Sequence, residues 1–240
     1  MGDSWRQPPY RKDDNGYTEM NRSSKNRMTR REAILFPGET LYAEIARAVC
    51  RAETLPRKEF HEAWEVARRV RRHFRGGRVW DLACGHGLLG HIMLILDDSS
   101  PEAILVDRTI PPKGSTLSQA LMERWPRLKG RVHYRQMDLD EIIVQPQDIV
   151  ISVHACGSLT DLVIDKGLAA NARLAVLPCC HDLSTCHTGG LEGWMDGPLA
   201  VDAMRAARLT AHGYKVMTKT IPQDVTPKNR LLMGLFPTGE

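Results

Sequence analysis

The chain predicts an α/β fold: a mostly parallel, seven-stranded sheet with an antiparallel last strand and helices on both faces. Three observations point there. From Arg78 onward, short apolar runs alternate with longer amphipathic segments, as in strands joined by crossover helices. The first run ends in Asp81-Leu-Ala-Cys-Gly85-His-Gly87, an acid and two glycines one residue apart, which form a tight strand-to-helix turn whose bare backbone a ligand can approach. The last two apolar runs are joined only by the turn-rich residues 222–229, so they should pair antiparallel.

Element by element, residues 1–31 have no hydrophobic period and read as a disordered basic arm. The arm holds eight Lys/Arg and four Asp/Glu and so carries the whole net charge of +4. Residues 32–77 read as helices. One spans 38–52, with Leu41, Ile45, Ala48 and Val49 on one side. Pro56 opens the next, where Phe60, Trp64, Ala67, Val70 and Phe74 form an apolar stripe. Glu59, Glu62 and Glu65 fall early in that helix, and Arg68, Arg69, Arg71, Arg72 and Arg75 fall late. This order complements the helix dipole, although five arginines within two turns also offer a face to RNA. Residues 78–240 form the ligand-binding domain. Strands are expected at 78–82, 103–107, 131–135, 148–154, 172–177, 214–221 and 230–236, and helices at 88–96, 115–125, 159–169 and 198–211. Residues 182–197 are a glycine-rich insertion placed to act as a lid or substrate loop.

Composition excludes several classes. Hydrophobic residues make up 42% of the chain, enough for a full core, and no apolar window is long enough to span a bilayer. Met1 to Pro9 is polar and is no secretory signal. Six cysteines in such a chain read as reduced thiols in a cytoplasmic protein. No obligate protein partner is expected.

The acids at successive strand ends, Asp81, Asp107 and Asp138, narrow the ligand. Asp107 lies at about the interval from the glycine turn at which an acid reaches ribose hydroxyls. A pyrophosphate would call for a third glycine near the helix start and no acid beside the phosphates. Asp81 next to the turn suits a ligand carrying an ammonium and a sulfonium, that is, S-adenosylmethionine. Together these features resemble the Rossmann-like class I methyltransferase family over residues 78–236. The resemblance implies that Asp81 and the turn from Gly85 to Gly87 hold the amino-acid end of S-adenosylmethionine, that Asp107 binds the ribose hydroxyls, and that Asp138 with Leu139 brackets the adenine. Ala83, Cys84, Leu88, Arg108 and His154 complete the implied cofactor contacts. Ala83 stands where the usual pattern has a glycine.

Two further motifs follow: Ser152-Val-His154-Ala-Cys156-Gly-Ser-Leu-Thr160-Asp161 and Leu177-Pro-Cys179-Cys180-His181. Their pairing resembles a subfamily that includes the tRNA acceptor-stem 2′-O-methyltransferases and related methyltransferase-like proteins. The resemblance stops short of residues 1–37, and the zinc-finger region of the tRNA enzymes has no counterpart. It implies methyl transfer to RNA, tRNA-like, reached through the basic arm and the Arg-rich helix. His154, Asp161 and His181 are the candidate proton acceptors, with His154 or Asp161 preferred. Thr160 is a candidate helix cap. Other readings stay open: a thiolate mechanism through Cys156 with Cys179 or Cys180, a small-molecule or protein acceptor, and a non-catalytic RNA-binding module. No metal site is expected, because Cys179, Cys180, His181, Cys186 and His187 lack the two-residue spacing of zinc ligands.

Overall fold

A computed structural model of the chain describes residues 27–237. Six α-helices and seven strands alternate as expected: α1 (Leu41–Ala52), α2 (Arg57–Val70), β1 (Val79–Leu82), α3 (Leu88–Leu96), β2 (Ala103–Asp107), α4 (Gly114–Arg124), β3 (Val132–Gln136), β4 (Ile149–Ser152), α5 (Leu159–Ala170), β5 (Arg173–Val176), α6 (Gly197–Ala211), β6 (Lys215–Thr220) and β7 (Arg230–Leu235). The strand order is β3-β2-β1-β4-β5-β7-β6. β1 to β5 run parallel, and β7 lies antiparallel to both β5 and β6. The order reverses between β1 and β4, so a crevice opens beyond their carboxyl ends, where open α/β sheets bind ligands.

Strand side chains alternate between two cores, as a period of two requires. Val79, Leu105, Ile149, Ile151 and Met233 face helices α1 to α4. Trp80, Leu82, Val106, Val150, Val176 and Leu232 face α5 and α6. The stripe read on α2 is real: Phe60, Ala67, Val70 and Phe74 are fully buried, and Trp64 nearly so. Pro56 sits at the N-cap of α2, one residue ahead of the helix it was expected to open.

Two places add to the sequence reading. The boundary at residue 31 falls inside the packed chain. Met28 is fully buried, its N–H donates to Leu55 O at 2.8 Å, and a short 3₁₀ helix begins at Arg30. The rest of the predicted arm lies outside the described residues. At the Arg-rich end of α2, Arg72 and Arg75 are exposed, and most of the guanidiniums have partners. Arg68 and Arg69 pair with buried Glu65. Arg71 is buried, with its Nε donating to Met93 O at 2.9 Å and its guanidinium 3.3 Å from Asp97, and Arg75 pairs with the same carboxylate. Among the described residues, only Arg72 of the five has no ion-pair partner. Arg69, Arg71 and Arg75 tie this end of the helix to β6 and α3, while Arg68 pairs within α2.

Candidate active site

The turn after β1 is built by three successive departures from ordinary backbone. Ala83, Gly85 and Gly87 all take left-handed φ values, +54°, +52° and +75°. At Gly87 a Cβ would land 2.4 Å from Leu105 Cδ1, so only glycine fits. At Gly85 a Cβ would meet nothing within 4 Å. The missing side chain leaves a cradle open to the crevice.

The turn is fastened on several sides. Asp107, at the end of β2, accepts the Gly85 N–H at 2.9 Å and the Thr109 N–H at 3.2 Å. The Tyr134 hydroxyl on β3 lies 2.8 Å from His86 O and 3.0 Å from Gly114 O. His91, fully buried on α3, donates from Nδ1 to Gly87 O at 2.7 Å, which leaves Nε2 to accept from the Ser118 hydroxyl at 3.0 Å. Burial lowers the His91 pKa to about 4, so the imidazole is neutral and this tautomer is fixed.

Asp81 is the electrostatic centre. Its side chain is buried, and Oδ2 accepts the Gly90 N–H at 2.8 Å. Oδ1 has no partner among the described residues. Burial pushes the carboxyl up to about 8, and the nearby Asp107 charge adds to the rise against the relief given by Gly90. The crevice above it is lined by Asp81, Ala83, Cys84, Gly85, Leu88 and His154 among others. Six of the predicted cofactor residues therefore share one cleft. Gly87 supports the turn from behind. Asp107, Arg108, Asp138 and Leu139 lie on the neighbouring β2–β3 rim, where Arg108 Nε donates to Asp138 Oδ1 at 2.6 Å and both side chains are exposed.

Two titratable cleft residues were not among the named cofactor contacts, Glu59 and His86. His86 lies between Gly85 and Gly87 within the glycine turn. Glu59 was read as a complement to the α2 dipole, yet it forms part of the cleft wall. Burial, with help from Glu62, raises the Glu59 carboxyl to about 7. Its signal is tertiary: the first turn of α2 crosses the end of β1, and nothing local in sequence records that.

The proposed proton acceptors separate. His154 lines the cleft, and burial lowers its pKa to about 4 with help from the Lys58 and His86 charges. Asp161 turns away from an acceptor role. Arg205, 2% exposed, reaches both of its oxygens, Nε to Oδ1 at 2.9 Å and a terminal nitrogen to Oδ2 at 2.8 Å. The same guanidinium donates to Gly157 O at 3.0 Å. His181 Nε2 donates to Asp202 Oδ1 at 2.7 Å. Burial pushes Asp202 up, but the hydrogen bonds from His181 and Arg230 outweigh it and hold this carboxyl below the ordinary range. Asp161 and His181 both belong to an ion-pair network that ties α5 and the loop after β5 to α6. Thr160 does not cap its helix in the expected way; its hydroxyl donates to Ala155 O at 2.6 Å and closes the β4 loop.

The thiols also sort. Cys50, Cys84 and Cys186 are buried, while Cys156 and Cys180 are exposed and Cys179 is partly so. Burial and the neighbouring thiols push Cys179 well above the ordinary thiol range, which disfavours it as an attacking thiolate.

A family described as a methyltransferase domain matches residues 58–186, more than half of the chain. The chain belongs to that family. Two fruit-fly proteins, each named glutathione S-transferase C-terminal domain-containing protein homolog, share 24% identity over 202 residues (Drosophila pseudoobscura pseudoobscura) and 25% over 201 residues (Drosophila melanogaster). The match covers 67% of this chain and 33% of each relative, so the chain spans about a third of the length of these curated relatives. Among solved structures, a tRNA methyltransferase from B. subtilis is 15% identical, with 72% of this chain and 66% of that one covered and a TM-score of 0.49. The magnesium protoporphyrin IX methyltransferase of Synechocystis PCC 6803 is 16% identical, with 87% and 93% covered and a TM-score of 0.49. No helix among the described residues is long and apolar enough to cross a membrane.

Proposed function

We propose that the cleft binds S-adenosylmethionine and that the protein transfers its methyl group to RNA. One observation carries the cofactor reading: a buried carboxylate with an unpartnered oxygen lies beneath a glycine cradle at the point where the strand order reverses. Such a group favours a cationic ligand, whose charge would offset the desolvation of Asp81. Bound there, S-adenosylmethionine supplies an already electrophilic methyl group. Asp81 would face its amino-acid end, Gly85 would let that end approach the backbone, and the carboxylate of Asp107 would be offered to the ribose. Arg108, Asp138 and Leu139 would flank the base.

His154 is the candidate residue best placed to take a proton from an acceptor hydroxyl, because it alone of the three lines the cleft. The acceptor is the finer step. RNA is supported by the +4 charge gathered in residues 1–31 and by the two motifs shared in pattern with tRNA 2′-O-methyltransferases. The six unpaired thiols support work in a reducing cytoplasm. The test is transfer of labelled methyl from the cofactor into separate RNA, protein and metabolite pools. Label in RNA that disappears in Gly85→Val is the expected result. Label confined to another pool would remove RNA as acceptor, and absence of cofactor binding by calorimetry would remove the cofactor itself.

A further inference from the structure

We propose that Cys156, Cys179 and Cys180 form a three-thiolate zinc site on the β4–β5 rim, with the fourth coordination position open to solvent. The inference goes beyond the cofactor reading and does not depend on it.

The three sulfurs come from two loops. Cys156 follows β4, and Cys179 and Cys180 follow β5. All three Sγ atoms lie within 4.8 Å of one another, and Cys156 Sγ is 3.0 Å from Cys179 Sγ with no disulfide formed. A tetrahedral zinc with Zn–S bonds of about 2.3 Å spaces its sulfurs about 3.8 Å apart. Small side-chain rotations therefore bring all three onto one ion. Adjacent cysteines ordinarily point apart. Here the chain leaving β5 turns so that both thiols face the β4 loop, which a reading of spacing alone does not reveal.

The donor set selects the ligand. Three soft sulfurs with no carboxylate among them exclude calcium and magnesium and match zinc. A disulfide would use two of the three sulfurs and leave the third unexplained. The frame around the thiols is rigid. Gly157 N–H donates to Cys180 O at 3.2 Å, and Arg205 holds Gly157 O. His181, next to Cys180, is anchored to Asp202. These contacts fix both loops as outer-shell bonds do at metal centres. Cys156 and Cys180 are exposed, so an ion held there keeps one face toward solvent, the arrangement of a site able to take water or a further ligand. Binding one Zn²⁺ displaces three thiol protons and leaves a site of net charge −1, with no change of oxidation state.

The experiment uses the reduced full-length chain, stripped of metal, with Zn²⁺ and then Co²⁺ as probes. One equivalent of zinc should survive desalting. Cobalt should give thiolate-to-metal charge transfer and the visible bands of tetrahedral coordination. Cys156→Ser and Cys180→Ser should each weaken zinc binding by at least about tenfold. Cys180 is exposed, so its variant is expected to fold, and circular dichroism checks that it does. Zinc should also shield Cys156 and Cys180 of the unaltered protein from alkylation. Asp81→Asn should bind zinc normally, which separates this outcome from any failure of the cofactor reading. Wild type that retains no zinc, octahedral cobalt spectra, full stoichiometry in Cys180→Ser, or a Cys156–Cys179 disulfide that persists under reductant would each overturn the site.

Discussion

The rim after β1 and the rim after β4 and β5 treat buried charge in opposite ways. At the first, Asp81 is buried with one oxygen unpartnered, and its carboxyl is forced up to about 8. At the second, Asp161, Asp202, Arg205 and His181 are knit together, and each carboxylate meets a cation or a ring N–H. An unpartnered buried charge costs free energy that a bound ligand can relieve, whereas a paired one is already satisfied. In the proposed reading the first rim binds the ligand, and the second is a frame that carries exposed thiols. The residue types that look most catalytic in sequence, an Asp and a His in adjacent motifs, belong to the frame.

The largest effect should come from the frame. Arg205→Met leaves two carboxylates facing it without their shared cation, and should cost about 3–5 kcal/mol of unfolding free energy in denaturant titration. Asp161→Asn should also destabilise the fold while leaving per-molecule turnover of the folded protein near wild type. If Asp161→Asn instead kept its stability and lost turnover, Asp161 would be the proton acceptor and the contrast between the rims would fail.

The next effect belongs to the binding rim. Asp81→Asn removes the charge that faces the cofactor and should weaken binding by roughly ten- to hundredfold in Kd. The sign with pH follows from the raised carboxyl. Only ionised Asp81 attracts a cation, so affinity should climb as pH rises toward about 8 and then level off. The cofactor's own amine titrates in both proteins, so the difference between the wild-type and Asn profiles isolates Asp81. Stability runs the other way. A group whose folded pKa is raised costs the ligand-free protein stability from the ordinary carboxylate range up to about 8. The ligand-free Asn variant should therefore melt higher than wild type at pH 8, and this advantage should shrink toward pH 4. A flat difference in both measurements would mean that Asp81 is not the charged floor of the cleft.

What could be read from sequence divides along the same line. β2 and α3 match their predicted ranges, and the other predicted strands lie within two residues of theirs, because a short apolar run bounded by turn residues is a local signal. Asp81, Gly85 and Gly87 were legible because the turn is made by consecutive residues. The frame was not, because its bonds join distant parts of the chain: Arg205 lies 44 residues beyond Asp161, and Cys156 lies 23 residues before Cys179. Glu59 reaches the cleft from a helix that precedes the sheet. The partners of the Arg-rich run were hidden for the same reason, since Asp97 and Met93 lie on a later element. Pattern shows which residues are charged, and only packing shows which charges are already paired.

The smallest effect tests how finely the binding turn is tuned. Ala83 adopts φ +54°, a conformation that costs an L-residue about 1–2 kcal/mol, and it stands where the family pattern has glycine. Ala83→Gly relieves that strain but gives the unfolded chain more freedom, which returns about 0.4–1 kcal/mol. The net gain should lie between about 0 and 1.6 kcal/mol, read as a small rise in melting temperature. Cofactor affinity should stay within about threefold of wild type, because the turn's contacts run through Gly85, Asp107 and Tyr134 rather than through the Ala83 methyl. Ala83 nevertheless lines the cleft. A stabilised variant with sharply weaker binding would show that the methyl is part of the contact surface, and that strain at this position is kept because the ligand packs against it.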